Sequence, residues 1–303
     1  MSNKKIIATH SGKYHTDDLF AVATVQILLG HENTEVVRTR DQEEIKRADH
    51  VVDVGGIYNP GSNRFDHHQT GGAGRRNNSV PFASFGLVWE KFGQKLTGSA
   101  REAKVVEEKL VQPIDADDNG YSLYTLTKEQ TYPYTLQVML SSFRPTSDEN
   151  KSYDEVFQEL LPLVRKMLER EIFLAKLYVK AEDGVRQVYE KSEDKQMIVF
   201  DKHEHYAGRE LIGDILCEYA EPVYAIFYKP EDNAWQLLAI TKGKGTFESR
   251  KRLPKGWGGN KTEKELEKLT GFPDVVFIHN NGFMAVTKTK ETAVALAKKS
   301  LEM

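Results

Sequence analysis

The sequence predicts an α/β protein: a first region with a mainly parallel sheet, a helical connector, and a smaller C-terminal α+β domain. Three observations predict it. Apolar strand-like runs alternate with helical stretches through the first part of the chain. The middle repeats apolar residues at helical spacing alone. The last third turns to strands, two of them flanking Asn280-Asn281-Gly282. A length of 303 residues suits two domains at roughly 150 residues each. The expected divisions are 1–125, a connector over 126–184, and 185–303.

Lys4–Thr9 reads as a buried strand running into His10. Thr16 then caps a helix with Asp17 and Asp18 in its first turn, where the dipole favours carboxylates. Ala21, Val22, Val25 and Leu29 form its apolar face, and Gly30 closes it. A strand fits Thr34–Thr39, a short helix starts at Asp41, and Val51–Val54 is a third strand ending in Gly55-Gly56. Thr70–Asn78 is rich in Gly, Asn and Arg and reads as a mobile loop. Helices follow over 80–93 and 99–116. From Tyr153 to Leu168 the apolar residues recur at helical spacing, with Pro162 expected to kink the helix or start a new one and Gly184 to end it. Met197–Phe200, Val223–Tyr228 and Trp235–Ile240 read as strands, and Glu210–Tyr219 and Lys290–Leu301 as helices. Val275–His279 and Phe283–Thr287 form a hairpin in which Asn-Gly supplies positive φ angles.

Forty-two Lys and Arg against 45 Asp and Glu give a net charge of -3. Charged residues at 29% and hydrophobic ones at 39% exclude a wholly disordered chain. No run approaches the ~18 apolar residues of a membrane span. Cys217 stands alone, which excludes an internal disulfide and multi-cysteine metal sites and suits the reducing cytosol. Ile6-Ile7-Ala8 is too short for a signal-peptide core and no Arg-rich transit segment is visible, so the expected location is cytoplasmic. The near-neutral charge argues against a general nucleic-acid coat but leaves room for a local basic patch.

Four clusters carry chemistry: His10, His15, Asp17 and Asp18 after the first strand; Asp53 before Gly55-Gly56; Asp66-His67-His68; and Asp115 with Asp118 near a helix end. Singly, each has an ordinary explanation. Asp53 reads as a turn residue, and Asp17 and Asp18 as first-turn carboxylates. His31, His50, His203 and His205 lack such company and read as surface or core histidines. The convergence of four clusters on element ends outweighs these readings, because open α/β sheets bind ligands beyond the carboxyl ends of their strands. Imidazole and carboxylate without thiolate suit Mn²⁺, with Mg²⁺ or Zn²⁺ behind it. Six or more such groups exceed one tetrahedral site and suit two ions ~3.5–4 Å apart with a bridging hydroxide.

The same residues carry a resemblance. The order of the motifs is similar to the DHH phosphoesterase superfamily. The stretches His10–Asp18, Asp53–Gly56, Arg64–Gln69, Pro81–Trp89 and Asp115–Gly120 resemble one branch of it, the Myg family of melanocyte-proliferating-gene exonuclease-like proteins. Leu253-Pro254, Gly256-Trp257, Phe277–His279 and Gly282-Phe283 extend the likeness to the C-terminal region. The resemblance implies an N-terminal DHH-type domain holding the metals and a C-terminal substrate domain. It implies a divalent-metal-dependent phosphoesterase, a 3′–5′ exonuclease on RNA or short oligonucleotides, using Mn²⁺ or Mg²⁺. The branch has also been called a metal-dependent protein hydrolase, so amide hydrolysis is one alternative and non-catalytic metal or nucleic-acid binding another. His10, His15, Asp17, Asp53, His67 and one of Asp115 and Asp118 match the metal-ligand motifs, with Asp18 open as the substitute for Asp17. Asp66, His67 and His68 match the catalytic motif, His68 at the position facing phosphate or a second metal. His15 stands where the wider superfamily has Asp.

Residues 241–264 hold eight Lys and Arg and only two acids. Phe247 and Trp257 in this stretch suit base stacking. Gly256, Gly258 and Gly259 allow backbone N–H groups to approach a phosphate, and Gly256-Trp257-Gly258-Gly259 stands in for the superfamily's glycine-rich signature. Arg252 and Lys255 are the expected phosphate contacts, with Arg209 and His279 beside them; a solvated basic loop is the plain alternative. The expected partner is RNA or a short oligonucleotide rather than a membrane, and the oligomeric state stays open between monomer and homodimer.

Overall fold

The computed structural model describes residues 4–202 and 208–303, so His203 and His205 lie outside the described residues. The chain divides into two compact units, Met1–Lys176 and Leu177–Met303.

The first unit is built on a five-stranded sheet in the order β2-β1-β3-β5-β4. Its strands are β1 (Lys5–Thr9), β2 (Thr34–Arg38), β3 (His50–Val52), β4 (Tyr58–Asn59) and β5 (Arg64–Phe65). The first four in that order are parallel, and only β4 runs against its neighbour. Two residues are too few to display a period of two, which is why β4 and β5 are not readable in the sequence.

Helix α1 (Thr16–Leu29) packs against β1 and β3, and also against α3 (Ser84–Thr97), α5 (Gln112–Asp118) and α6 (Leu136–Ser141). Every residue from Thr16 to Gln26 is consequently buried, and no polar stripe remains. Its cap differs from the expectation. His15, not Thr16, is the N-cap residue, and its N–H is taken by Asp18 Oδ1 at 2.9 Å. Gly30 ends the helix with φ 80°, a conformation that favours glycine. Asp41 caps α2 (Gln42–Arg47) as expected. α4 (Ala100–Val106) runs into a π-helical turn, Glu107–Val111, before α5.

Helix α7 (Tyr153–Lys191) is continuous, running through both Pro162 and Gly184. Pro162 removes the N–H that would bond the Gln158 carbonyl. Both residues are exposed, so water solvates that carbonyl. Val156, Phe157, Leu160, Leu161, Val164 and Leu168 are buried in the first unit's core and hold the helix on either side of the proline.

The second unit has a five-stranded mixed sheet in the order β6-β7-β8-β10-β9. The strands are β6 (Met197–Val199), β7 (Tyr224–Lys229), β8 (Ala234–Ala239), β9 (Val275–Ile278) and β10 (Met284–Thr287). Alternation along β7 sends Tyr224 and Ile226 to one core and Ala225 and Phe227 to another. The first core is closed by α9 (Glu263–Thr270) and α10 (Lys290–Glu302), the second by α8 (Gly208–Leu216). Helix α9 is not among the elements expected from the sequence, although Thr262 and Glu265 spell the capping box that starts it. The β9–β10 turn also departs from expectation. Only Gly282 takes a positive φ, 67°, and its N–H returns to the His279 carbonyl at 2.8 Å, so Asn281 needs no left-handed backbone. Cys217, just past α8, is buried with its Sγ on the Asp214 carbonyl. Among the described residues no helix is long and apolar enough to cross a membrane.

Pro162→Ala restores a helical hydrogen bond at an exposed interior position. It is expected to stabilise the protein by about 1–3 kcal/mol, read as a higher thermal midpoint. A lower midpoint would mean that Pro162 shapes the helix productively.

Candidate metal centre at the strand ends

Five elements deliver side chains to the C-terminal edge of the first sheet. His10 follows β1, His15 caps α1, and Asp17 lies in that helix's first turn. Asp53 follows β3, His67 and His68 follow β5, and Asp118 ends α5. Asp53 is held at φ 55°, a left-handed conformation unusual for a residue with a side chain. The chain turns there at once into Gly55 and Gly56, both also at positive φ.

The side chains interlock. His10 Nε2 lies 3.1 Å from Asp18 Oδ2 and 3.4 Å from Asp53 Oδ2. His67 Nε2 lies 3.2 Å from both Asp53 Oδ1 and Asp118 Oδ2. His15 Nδ1 is 3.9 Å from Asp118 Oδ1. His68 Nδ1 is bonded to Asp66 Oδ1 at 2.7 Å, and Asp66 also accepts the Gly56 and His68 backbone N–H groups. Asp66 thus anchors the loop and orients His68 from beneath the cluster. His10 Nδ1–H donates to the Ser11 carbonyl at 3.2 Å, which leaves Nε2 toward the cluster.

The paired acids divide by partner. Asp17 accepts the N–H groups of Ser84 and Phe85 at 3.0 and 2.7 Å, standing in for the side-chain cap that Ala83 cannot supply to α3. It also groups with His67 and Asp118. Asp18 instead faces His10 and Arg38, whose guanidinium is 2% exposed and also meets Asp154. Asp115 faces Arg76 at 2.7 Å and accepts the Gly86 N–H at 3.0 Å. A Cβ at Gly86 would stand 1.9 Å from Asp115 Oδ2, so only glycine fits. Arg76 also binds Glu107 in the π-helical turn, tying down the loop expected to be mobile. Arg38, Arg76 and Ser84, whose Oγ donates to Asp53 Oδ1 at 3.2 Å, are absent from the sequence reading. Ser84 lies inside the Pro81–Trp89 stretch that carried the resemblance; the two arginines left no local signal.

Among the described residues, donor atoms lie within 4.8 Å of one another in each of three groups: His10, His15 and Asp53; Asp53, His67 and His68; and Asp17, His67 and Asp118. His10 Nε2, Asp53 Oδ2 and His67 Nε2 are buried without a hydrogen-bond partner among the described residues. Buried polar atoms ordinarily find partners, so these three fit a cation as their common partner. The electrostatics agree. Burial disfavours an imidazolium at His10, yet the Asp18 and Asp53 carboxylates outweigh it and lift its pKa to about 10. At His67 burial is likewise outweighed, by Asp118 and Asp53, and the pKa rises to about 11. Burial opposes ionisation of Asp53 too, but His10 and His67 hold its carboxyl well below the usual range. Burial and the neighbouring charges of Asp118 and Asp53 push Asp17 well above it. The site gathers positive charge, and a divalent cation satisfies the same demand with N and O ligands.

In the second unit, Arg252, Lys255 and Gly256 are exposed. Gly258 is packed so closely that a Cβ would stand 2.3 Å from the His279 carbonyl oxygen. Gly259 takes φ 109°. The His279 ring lies 4.3 Å from that of Phe283, and the Arg209 guanidinium lies 5.7 Å from the same ring. Trp257 is 5% exposed and part of the core, which leaves no face for a base; the exposed aromatic of the stretch is Phe247, at 95%. The basic stretch is also less open than its composition suggests. Arg250, Lys251 and Lys261 bind backbone carbonyls, and Lys242 and Lys244 pair with Glu248 and Glu218.

Carboxylates and imidazoles converging at the parallel strand ends make a candidate divalent-metal site, and with the exonuclease relatives that the chain resembles they define a hydrolase of the metal-dependent class. The family MYG1_exonuc, described as "Uncharacterised protein family (UPF0160)", matches residues 6–301, and the chain belongs to it. MYG1 exonuclease of Mus musculus is 30% identical over 97% of this chain and 84% of its own. An MYG1 protein of Schizosaccharomyces pombe is 30% identical over 100% and 99%. Among solved structures, a pGpG-specific phosphodiesterase from Vibrio cholerae has 14% identity and TM-score 0.32, covering 98% of this chain and 97% of its own. RecJ of Thermus thermophilus in complex with Mn²⁺ has 12% identity and TM-score 0.28, covering 99% and 52%.

With pKa values near 10 and 11, His10 and His67 are protonated at pH 7 in the metal-free protein. A metal must displace those protons, so its affinity rises with pH. Calorimetry in buffers of different ionisation enthalpy should read the proton release directly. Mn²⁺ binding that is independent of pH between 6 and 8 would contradict the arrangement.

Proposed function

We propose that the chain is a divalent-metal-dependent phosphodiesterase, a 3′–5′ exonuclease on RNA or short oligonucleotides, working with two Mn²⁺ ions or with Mg²⁺. The carrying observation is the set of three ligand groups linked through the shared side chains Asp53 and His67. Linked groups of this kind suit two neighbouring ions better than one. In this reading His10, His15 and Asp53 would hold one ion, and Asp17, His67 and Asp118 the other. Bound metal would polarise the phosphoryl oxygens and supply the nucleophile at neutral pH.

The protein's own groups have separate tasks. Asp66 fixes His68, and its hydrogen bond raises the His68 pKa. The protonated form of His68, which that bond favours, would offer a hydrogen-bond donor to a phosphoryl oxygen as charge develops there. Arg38 and Arg76 hold Asp18 and Asp115, so these two acids act as positioning residues. In the second unit, Arg252 and Lys255 would grip phosphates, with Gly256, Gly258 and Gly259 presenting backbone and Arg209 and His279 beside them. Arg252 and Lys255 form no ion pair among the described residues, which supports that role.

The test uses RNA labelled at either end with Mn²⁺, Mg²⁺ or Zn²⁺ added to metal-depleted protein, and a peptide panel alongside. Mononucleotides should appear from the 3′ end only when metal is present. Asp53→Ala and His67→Ala should each lower turnover by on the order of 10³-fold with unchanged circular dichroism. A folded Asp53→Ala protein of full activity would sink the metal mechanism, and peptide cleavage without phosphodiester cleavage would replace the substrate class. Arg252→Ala should act differently, raising KM more than it lowers kcat, with a penalty that shrinks as salt rises. A loss confined to kcat would reject that assignment.

A further inference from the structure

Lys13 and Arg40 are two cations beside the metal cluster that no acid answers among the described residues. A cleft of about 710 Å³ is lined by His10, Asp53 and His68, and also by Lys13 and Arg40. Lys13 belongs to the loop after β1, and Arg40 stands just beyond β2, the edge strand next to β1. The cleft therefore extends from the cluster toward the β2 edge.

Both side chains are exposed, and neither forms an ion pair or side-chain hydrogen bond among the described residues. The acid nearest Arg40 in sequence is committed elsewhere: Asp41 Oδ1 accepts the N–H groups of Glu43 and Glu44 at 2.8 and 3.1 Å to cap α2. Two other arginines of the unit are treated in the opposite way. Arg38 and Arg76 are almost wholly buried and paired with carboxylates.

The loop that carries Lys13 is fixed on both sides of it. Arg38 Nη2 donates to the Gly12 carbonyl at 3.0 Å, and Arg144 Nη2 to the Tyr14 carbonyl at 2.5 Å. Tyr14 is buried, and its hydroxyl donates to the Leu140 carbonyl at 3.1 Å. Gly12 takes φ 90°, which a side chain at that position would oppose. A charge whose backbone is already held by its neighbours has less freedom left to lose on binding, so a ligand gains most of the contact.

We infer that Lys13 and Arg40 form an anion subsite for the phosphate adjacent to the one being cleaved. The inference deepens the phosphodiesterase reading and rests on it. The end of the cleft at His10, Asp53 and His68 would receive the reacting phosphate, and the next phosphate of the backbone would lie in the same cleft toward β2. Arg40 offers a planar fork of donors and Lys13 a compact charge, both suited to phosphate oxygens. The ligands favoured are those with two phosphates, such as a nucleoside 3′,5′-bisphosphate or a 5′-phosphorylated dinucleotide.

The experiment compares adenosine 3′,5′-bisphosphate with the 3′- and 5′-monophosphates by calorimetry on Mn²⁺-loaded protein, and pApA with ApA as substrates. Wild-type protein should bind the bisphosphate about tenfold or more tightly than either monophosphate, as one charge-assisted contact suffices to give. It should prefer pApA to ApA in kcat/KM to a similar degree. The K13A/R40A protein should lose both preferences. Arg47→Ala, which removes an exposed cation of α2 outside the cleft, should keep them. Lys13→Gln with Arg40→Gln serves if the alanine variant folds poorly. Equal binding of mono- and bisphosphate by wild type, or a preference that survives in the double variant, overturns the subsite. A bisphosphate preference lost in the double variant, with neither dinucleotide cleaved by wild type, would retain the anion site and overturn the phosphodiesterase reading.

Discussion

Carboxylates crowded together away from water repel one another, and the first unit is arranged around that repulsion. Asp17, Asp18, Asp53 and Asp115 are all buried. Each is answered differently. Asp18 and Asp115 have arginines of their own, Arg38 and Arg76. Asp17 leans on the N-terminal N–H groups of α3, where the helix dipole is positive. Among the described residues Asp53 has only imidazoles and the Ser84 hydroxyl. The acids with permanent cations stand outside the ligand groups, and Asp17 and Asp53 stand inside them. The protein gives permanent cations to the acids it needs for architecture and leaves titratable imidazoles and N–H groups to the acids that face the cluster.

That division reaches into the backbone. Helix α3 has no side-chain cap of its own and begins where Asp17 and Asp115 accept its N–H groups. Its first turn is therefore set by the same acids that border the metal centre. Asp53 sits in a backbone conformation that costs on the order of 1 kcal/mol or more. Asp66, just after β5, accepts the Gly56 and His68 N–H groups beside that turn. Removing Asp17 or Asp115 would change both the charge near the centre and the start of α3.

Much of this was legible in the sequence, because local patterns mark element ends. Strands β1, β2 and β3, the helix after His10, and the Asp-His-His motif could all be placed from residue order. The Asp17/Asp18 and Asp115/Asp118 pairs could not be divided, since the dividing partners are distant: Ser84 for Asp17, Arg76 for Asp115. Arg38 meets Asp154 across 116 positions, and no periodicity announces such a pair. Trp257 misled because composition cannot tell a stacking platform from a core aromatic. Thr262 and Glu265 show the reverse case, a local signal for α9 that was present and overshadowed by the charge around it.

The solitary Cys217 has a practical consequence. Burial raises the pKa of its thiol, so little thiolate forms, and its 7% exposure leaves a reagent scant access. The chain is in effect already a cysteine-free background for spectroscopy. A single cysteine placed on an exposed position of each unit would accept a spin label or fluorophore without prior mutagenesis of the native thiol. Distances between two such labels would then follow the two units through a catalytic cycle in the otherwise natural sequence.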